Sequence, residues 1–389
     1  MVLHDTDASI KVDRIFSIDI LRGIVMILML LDHLRSYWAC QNDIHPTDIL
    51  QTGLGEFVIR WLSNLCAPVF IFLAGTSIYI SSRSNNVSKF TVAKNNIKRG
   101  IWLILIEITL ISAFWCLKYH FWGIELQVLW VLGISMICMA FLQFLPARLV
   151  GAIGLAMIFL HHLIPSYEFS GLWQRIAFDL IHHKEIIQFN NGLTLFINFP
   201  LIPWVGVMAF GYSLGELFFI QAARRKRILL IAGLISIGLF IALRLLNVYG
   251  DSSPRIIDDN FIPTFMSFIN FTKQPASLIL LLWNIGLAFI LLAFFEDLKP
   301  GDRNFLVVFG RTPLFFYILH FLIIVLLAFT WGAIINSGDI LKALQSIPYS
   351  YSPLVTWLLC VCISLFLYFP CWWYYKLKFS KRYWWMFYV

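Results

Sequence analysis

Stretches of about 20 apolar residues recur along the whole chain, and the segments between them hold most of its lysines and arginines. Inside a bilayer no water reaches backbone N–H and C=O groups, so such a chain can fold only as packed helices or a closed barrel. Continuous apolar runs, without two-residue alternation, select helices. Hydrophobic residues fill 60% of the 389 positions and charged residues 13%, against about 45–50% and about 25% in a soluble domain. The class is an integral membrane protein, with the lipid bilayer as its first partner.

Ten spanning helices are expected, over roughly 16–38, 57–82, 99–118, 127–145, 148–164, 198–220, 228–247, 277–296, 305–330 and 353–375. The connections alternate in charge. Lys11 and Arg14, the run from Arg83 to Arg99, Arg148, Arg224 to Arg227, Lys299 with Arg303, and Lys376 to Arg382 share one side, with 18 Lys and Arg against six opposite. The positive-inside rule makes the richer side cytoplasmic and places both termini there. Topology therefore accounts for the net charge of +8, and nucleic acid is not expected as a partner. The first fifteen residues, with His4, Asp5, Asp7, Lys11, Asp13 and Arg14, lack the form of a cleavable signal.

The chain thus reads as an all-α polytopic bundle, one transmembrane domain over 1–389. It has a cytoplasmic tail at 1–15 and long outer connections at 165–197 and 248–276. In the first connection Trp173, Ile176, Ala177 and Leu180 recur at helical spacing opposite Arg175, Asp179, His182 and His183. That pattern predicts a short amphipathic helix on the outer surface.

Within this frame the ionisable residues near the spans gather toward the outer face. Each costs roughly 2.5–3.5 kcal/mol at a helix centre, so a group of them implies a water-filled cavity or partners. Asp32, His33 and Arg35 end the first span; Asp43, His45, Asp48 and Glu56 follow in the outer loop, and Arg60 opens the second span. Arg244 ends the seventh span, Lys273 precedes the eighth, and His320 lies past the middle of the ninth. Glu107 sits within the third and Arg311 in the inner half of the ninth.

His33 is the candidate general base, because imidazole titrates near pH 6.5 and can take a proton from an attacking amine or hydroxyl. Asp32 cannot share its helix face at i,i+1 and pairs better with Arg35, three positions on. The alternative is a structural Asp–Arg pair beside a carbonyl-bonded histidine. His45 and Asp48 form a rival site, in a Pro46-Thr47-Asp48 stretch that equally suits a capped turn. Arg60 and Arg244 suit a phosphate or an oxyanion, or else snorkel to the interface. His320 is either a second polar wall of the cavity or a satisfied core histidine.

His161-His162 and His182-His183 lack an acidic partner at ligand spacing, so no metal is expected. The seven cysteines contain no C-x-x-C set and read as packed free thiols. No Walker loop, dinucleotide fingerprint or Gly-x-Ser-x-Gly elbow is present.

The opening Arg14-Ile-Phe-Ser17-Ile-Asp19-Ile-Leu-Arg22-Gly23, followed by Leu-Met-Leu-Leu-Asp32-His33, resembles the catalytic domain family of heparan-alpha-glucosaminide N-acetyltransferase, above all its compact bacterial members. Further matching stretches are Pro46-Thr47-Asp48, Arg60-Trp61, Cys66-Ala67-Pro68 through Gly75-Thr76, and Lys98-Arg99-Gly100. Gln127-Val-Leu-Trp130, Pro200-Leu-Ile-Pro203-Trp204, Thr272-Lys273-Gln-Pro275 and Gly310-Arg311-Thr-Pro313 with His320 extend them. The resemblance implies acetyl transfer from cytoplasmic acetyl-CoA to an extracytoplasmic amino sugar or other glycan, in a multi-pass protein of the bacterial inner membrane. It also implies a histidine near the outer end of the bundle, which falls on His33 or His45.

On that reading His33 acts as base or acyl carrier, with Asp32 orienting it or balancing charge. Arg35, Asp48, Arg60, Arg244, Lys273 and His320 serve the acceptor, and Lys98, Arg99 and Arg311 the phosphates of CoA. The basic loops are equally explained as topology determinants. A homodimer is allowed for. The reading from another class is a transporter or flippase of a small anionic or lipid-linked metabolite, with Asp32 or Glu107 as proton relay.

Overall fold

The computed structural model describes residues 15–39, 52–84, 88–165, 167 and 169–380. His45, Asp48 and Asp43 lie outside the described residues. Of the described residues 74% are helical, in an all-α polytopic bundle. α1 (Phe16–Trp38) matches the expected first span residue for residue. The expected second span is two helices, α2 (Leu54–Ser63) and α3 (Cys66–Ser84). Pro68, in the first turn of α3, has no N–H to give to the preceding turn. α4 (Lys89–Ile106) continues through one π-helical turn at Glu107–Ile111 into α5 (Ser112–Tyr119). It begins ten residues before the expected span, because its first turns, Lys89 to Lys98, are polar and escape a hydropathy reading.

β1 (Gly123–Leu126) leads to α6 (Val128–Leu142) and α7 (Ala147–Leu160). The connection from α7 then forms α8 (Leu172–Ile181), the amphipathic helix expected at this place in the chain, and β2 (Glu185–Gln188) and β3 (Thr194–Ile197). The strands join in the order β1-β3-β2, β1 parallel and β2 antiparallel to β3. The remaining helices are α9 (Leu201–Leu214), α10 (Ala222–Leu246), α11 (Phe261–Ile269), α12 (Leu278–Phe295), α13 (Phe305–Arg311), α14 (Pro313–Ile335), α15 (Ile340–Gln345) and α16 (Pro353–Ser380). Thr312, at φ −125° and ψ 44°, leaves the helical region ahead of Pro313 and breaks the expected ninth span into α13 and α14.

Among the described residues seven helical segments are long and apolar enough to cross a membrane, and α6 and α7 are shorter apolar helices. α1 has the length as well but carries Asp19, Arg22, Asp32 and Arg35. It lies at the centre of the bundle, against α2, α3, α12, α13, α14 and α16, which is why these charges meet protein rather than lipid. The approach to α13 is very close. A Cβ on Gly23 would stand 2.0 Å from the Leu306 carbonyl oxygen, and one on Gly310 would stand 1.9 Å from that of Asp19. Only glycine fits at either point.

Candidate functional site

A cavity of about 940 Å³ runs beside α1. Arg22, Ser77, Asn96, Arg99, Arg311 and Lys378 line one end, and Asp32, His33, Arg35, Arg60, Glu125 and Lys273 line the other. The 11 residues from Arg22 to His33 correspond to about 16 Å along a helix. The cavity therefore extends along roughly half of a membrane's hydrocarbon thickness, about 30 Å.

Asp32 is the hub of the His33 end. Its carboxylate meets Arg60 at 3.2 Å, Arg35 at 3.4 Å and Lys273 at 3.7 Å. The i,i+3 pair with Arg35 is the one the helix geometry predicted. The other two cations come from α2 and from the loop ahead of α12. Three cations around one carboxylate leave an excess of positive charge, and the buried Nε of Arg60 has no hydrogen-bond partner. This is an environment for an anion or a developing oxyanion. Burial pushes the Lys273 ammonium down to about 8, with Arg60 adding to the shift and Asp32 opposing it.

His33 stands beside this hub, and its ring is held among His320, Phe321, Trp115 and Tyr317. His33 Nδ1 lies 2.7 Å from His320 Nε2, and His320 Nδ1 lies 3.0 Å from the Phe316 carbonyl oxygen. The carbonyl can only accept, so a neutral His320 donates from Nδ1 and accepts at Nε2. His33 then donates from Nδ1, which leaves its Nε2 lone pair for the cavity. His320 is wholly buried. Outside the cavity lining and with both ring nitrogens bonded, it is the satisfied core histidine of the two readings, and one of its partners is His33.

The other expected residues divide. Arg311 lines the cavity; Asp19 at 2.9 Å holds its Nε, Asp302 at 2.6 Å and the Tyr375 hydroxyl at 2.5 Å hold its Nη1, and its Nη2 is buried with no hydrogen-bond partner among the described residues. Arg99 lines the same end, whereas the neighbouring Lys98 is exposed and outside the lining. Arg244 is a correction to the substrate-binding expectation. It is fully buried away from the cavity and donates to the carbonyls of Ser253, Ser267, Phe268 and Asn270, tying down the 248–276 connection. Glu107 accepts from the backbone N–H groups of Leu129, at 2.7 Å, and Trp130, at 3.1 Å, and so caps α6.

His183 does have an acidic neighbour, Asp179, one helical turn back at 3.7 Å. No group of three or more His, Cys, Asp or Glu that could hold a metal occurs among the described residues.

Several lining residues escape a linear reading. Arg22 donates to Ser77 Oγ at 2.8 Å and to the Gly310 carbonyl at 3.2 Å. Glu125 on β1 and Asn198 just beyond β3 come together through the parallel pairing of strands about 70 positions apart. The signal available for Glu125 was an acidic residue two positions before Gln127 in a short outer connection, one turn ahead of an apolar helix.

Residues 14–254 match the family Heparan-alpha-glucosaminide N-acetyltransferase, catalytic. A search of curated proteins finds no match. The matched stretch contains Arg22, Asp32, His33, Arg60, Arg99 and Glu125 and ends before Lys273, Arg311 and His320, which the fold returns to the same region. The family and the apolar helices together support an acetyltransferase-type activity in a multi-pass membrane protein. With well over half of its 389 residues matched, the chain belongs to the heparan-alpha-glucosaminide N-acetyltransferase catalytic family.

Proposed function

We propose that this protein takes acetyl from cytoplasmic acetyl-CoA and delivers it to an amino sugar or other glycan on the outer side of the bacterial inner membrane. The proposal includes ten crossings with both termini cytoplasmic. The observation that carries it is the cavity joining Arg22, Arg99 and Lys378 at one end to His33 at the other. In this orientation the basic mouth faces the cytoplasm, where guanidinium and ammonium groups suit the phosphates of CoA. The distance of about 16 Å from Arg22 to His33 is of the order spanned by an extended pantetheine arm.

At the outer end the acceptor N–H or O–H attacks the thioester carbonyl carbon. His33 Nε2 takes the proton as the new C–N or C–O bond forms. Negative charge gathers on the carbonyl oxygen, where Arg60 and Lys273 offset it. The C–S bond then breaks, and the CoA thiolate leaves with the proton from His33. Asp32 keeps the cations in register rather than acting as a base, because three of them already engage its carboxylate.

The test is a thermal-shift titration with CoA and acetyl-CoA together with an acetyl-transfer assay. A ligand at 100 times its Kd adds about 2.7 kcal/mol, a shift easily seen. His33→Ala is expected to abolish transfer while keeping the CoA shift. Loss of activity in His45→Ala with full activity in His33→Ala would move the base to the outer loop. No CoA shift and no transfer would favour the transporter reading. An acetylated His33, trapped with acetyl-CoA and seen by mass spectrometry, would make that residue an acyl carrier instead of a base.

A further inference from the structure

Glu125 shares the cavity with His33, yet the steps above do not use it. It is buried on β1, and one of its carboxylate oxygens, Oε1, accepts from Gln127 Nε2 at 2.5 Å and from Asn198 Nδ2 at 2.6 Å. The second oxygen, Oε2, is buried with no hydrogen-bond partner among the described residues. The backbone around it is fixed as well: Glu125 N–H donates to Ser112 Oγ at 3.1 Å, and Ser112 Oγ lies 3.2 Å from the Glu125 carbonyl oxygen.

A carboxylate needed only to join β1 to the start of α9 would be satisfied by the Gln127 and Asn198 bonds. A buried acceptor left unmade is costly, and at the wall of a cavity it points to an absent donor. Metal is a poor candidate, since the groups bonded to the carboxylate are two amides and no group of three or more His, Cys, Asp or Glu that could hold a metal occurs among the described residues.

We propose that Glu125, oriented by Gln127 and Asn198, receives the acyl acceptor by hydrogen-bonding one of its donor groups, an amine N–H or a sugar hydroxyl. This rests on the acetyltransferase reading and adds the residues that select the acceptor. Carboxylates flanked by amides recognise such groups because the carboxylate only accepts while the amides both donate and accept. Burial pushes the Glu125 carboxyl up to about 7, with Lys118 opposing it.

The test uses full-length protein in nanodiscs, saturated with CoA, with glucosamine and glucose as probes in saturation-transfer NMR. Wild type is expected to bind at least one probe, and Glu125→Gln to weaken that binding at least tenfold with the CoA thermal shift retained. Asn198→Ala, which frees the carboxylate from one of its two holders, is expected to weaken it by a smaller factor. It serves as the test if Glu125→Gln does not fold. Binding of neither sugar by wild type, or equal binding by wild type and both variants, overturns the assignment. Loss of the CoA shift in wild type instead overturns the acetyltransferase reading itself.

Discussion

His33 and His320 stand 287 residues apart in the chain and 2.7 Å apart in space, Nδ1 of one against Nε2 of the other. The Phe316 carbonyl, 3.0 Å from His320 Nδ1, sets the direction of both hydrogen bonds and leaves His33 Nε2 unprotonated in the neutral pair. Replacing His320 by Ala leaves the Nδ1 donor of His33 unpaired in a buried site. That costs about 1–3 kcal/mol, or roughly a factor of 5 to 150 if it falls on the transition state. The acetyl-transfer rate of His320→Ala checks this. A wild-type rate in that variant, with His33→Ala inactive, would reduce His320 to a packing residue.

Asp32 is predicted to matter for stability before catalysis. With Asp32→Asn, Arg35, Arg60 and Lys273 face one another without their common counter-charge. Removing one partner of a buried ion pair costs about 3–5 kcal/mol. The thermal midpoint in detergent should fall by many degrees, and Asp32→Asn combined with Arg60→Gln should recover part of the loss. A midpoint unchanged by Asp32→Asn would mean that water already screens the cluster.

The contact of α1 with α13 supplies a control on the fold. Gly310→Ala places a methyl group 1.9 Å from the Asp19 carbonyl oxygen, so one backbone must retreat. Overpacking of this kind costs typically about 1–3 kcal/mol, occasionally more. Gly238→Ala on α10 meets nothing within 4 Å and should be neutral or stabilising by up to about 1 kcal/mol. Unfolding midpoints of the two variants, measured side by side, check both.

Glu125 gives the protein a pH dependence whose sign follows from its value. Burial raises the carboxyl from its ordinary 4.5 to about 7. The folded state therefore holds this proton more tightly, and the stability so contributed is complete below about pH 4.5 and lost as pH rises through about 7. Glu125→Gln should flatten the dependence of the unfolding midpoint across that window. A wild-type midpoint whose pH dependence Glu125→Gln leaves unchanged would show that the carboxyl ionises as in water.

Much of the fold was legible in the linear chain. The first helix, Phe16–Trp38, is predicted at its observed ends from the length of its largely apolar run. The amphipathic helix at Leu172–Ile181 followed from its period, and the Asp32–Arg35 pair from helix geometry. The second span falls within one continuous candidate crossing, Leu54–Arg83, whose internal break near Pro68 hydropathy does not register, and the boundary at Pro313 is missed for the same lost N–H. The three-stranded sheet was missed because its strands are four residues long and the parallel pair is remote in sequence.

Composition and pattern alone determined a membrane helix bundle with a charged cluster at the end of its first helix. Local sequence carries the period, the apolar length and the cost of burying charge, and those suffice for that conclusion. Only the tertiary structure decided where each polar residue lies and what it contacts. It set His320 behind His33, Lys273 and Arg60 on Asp32, and Glu125 on the cavity wall, and it drew Arg244 away to bind carbonyls. These roles depend on helices and strands from distant parts of the chain packing around α1, and no local pattern encodes which distant residue arrives there.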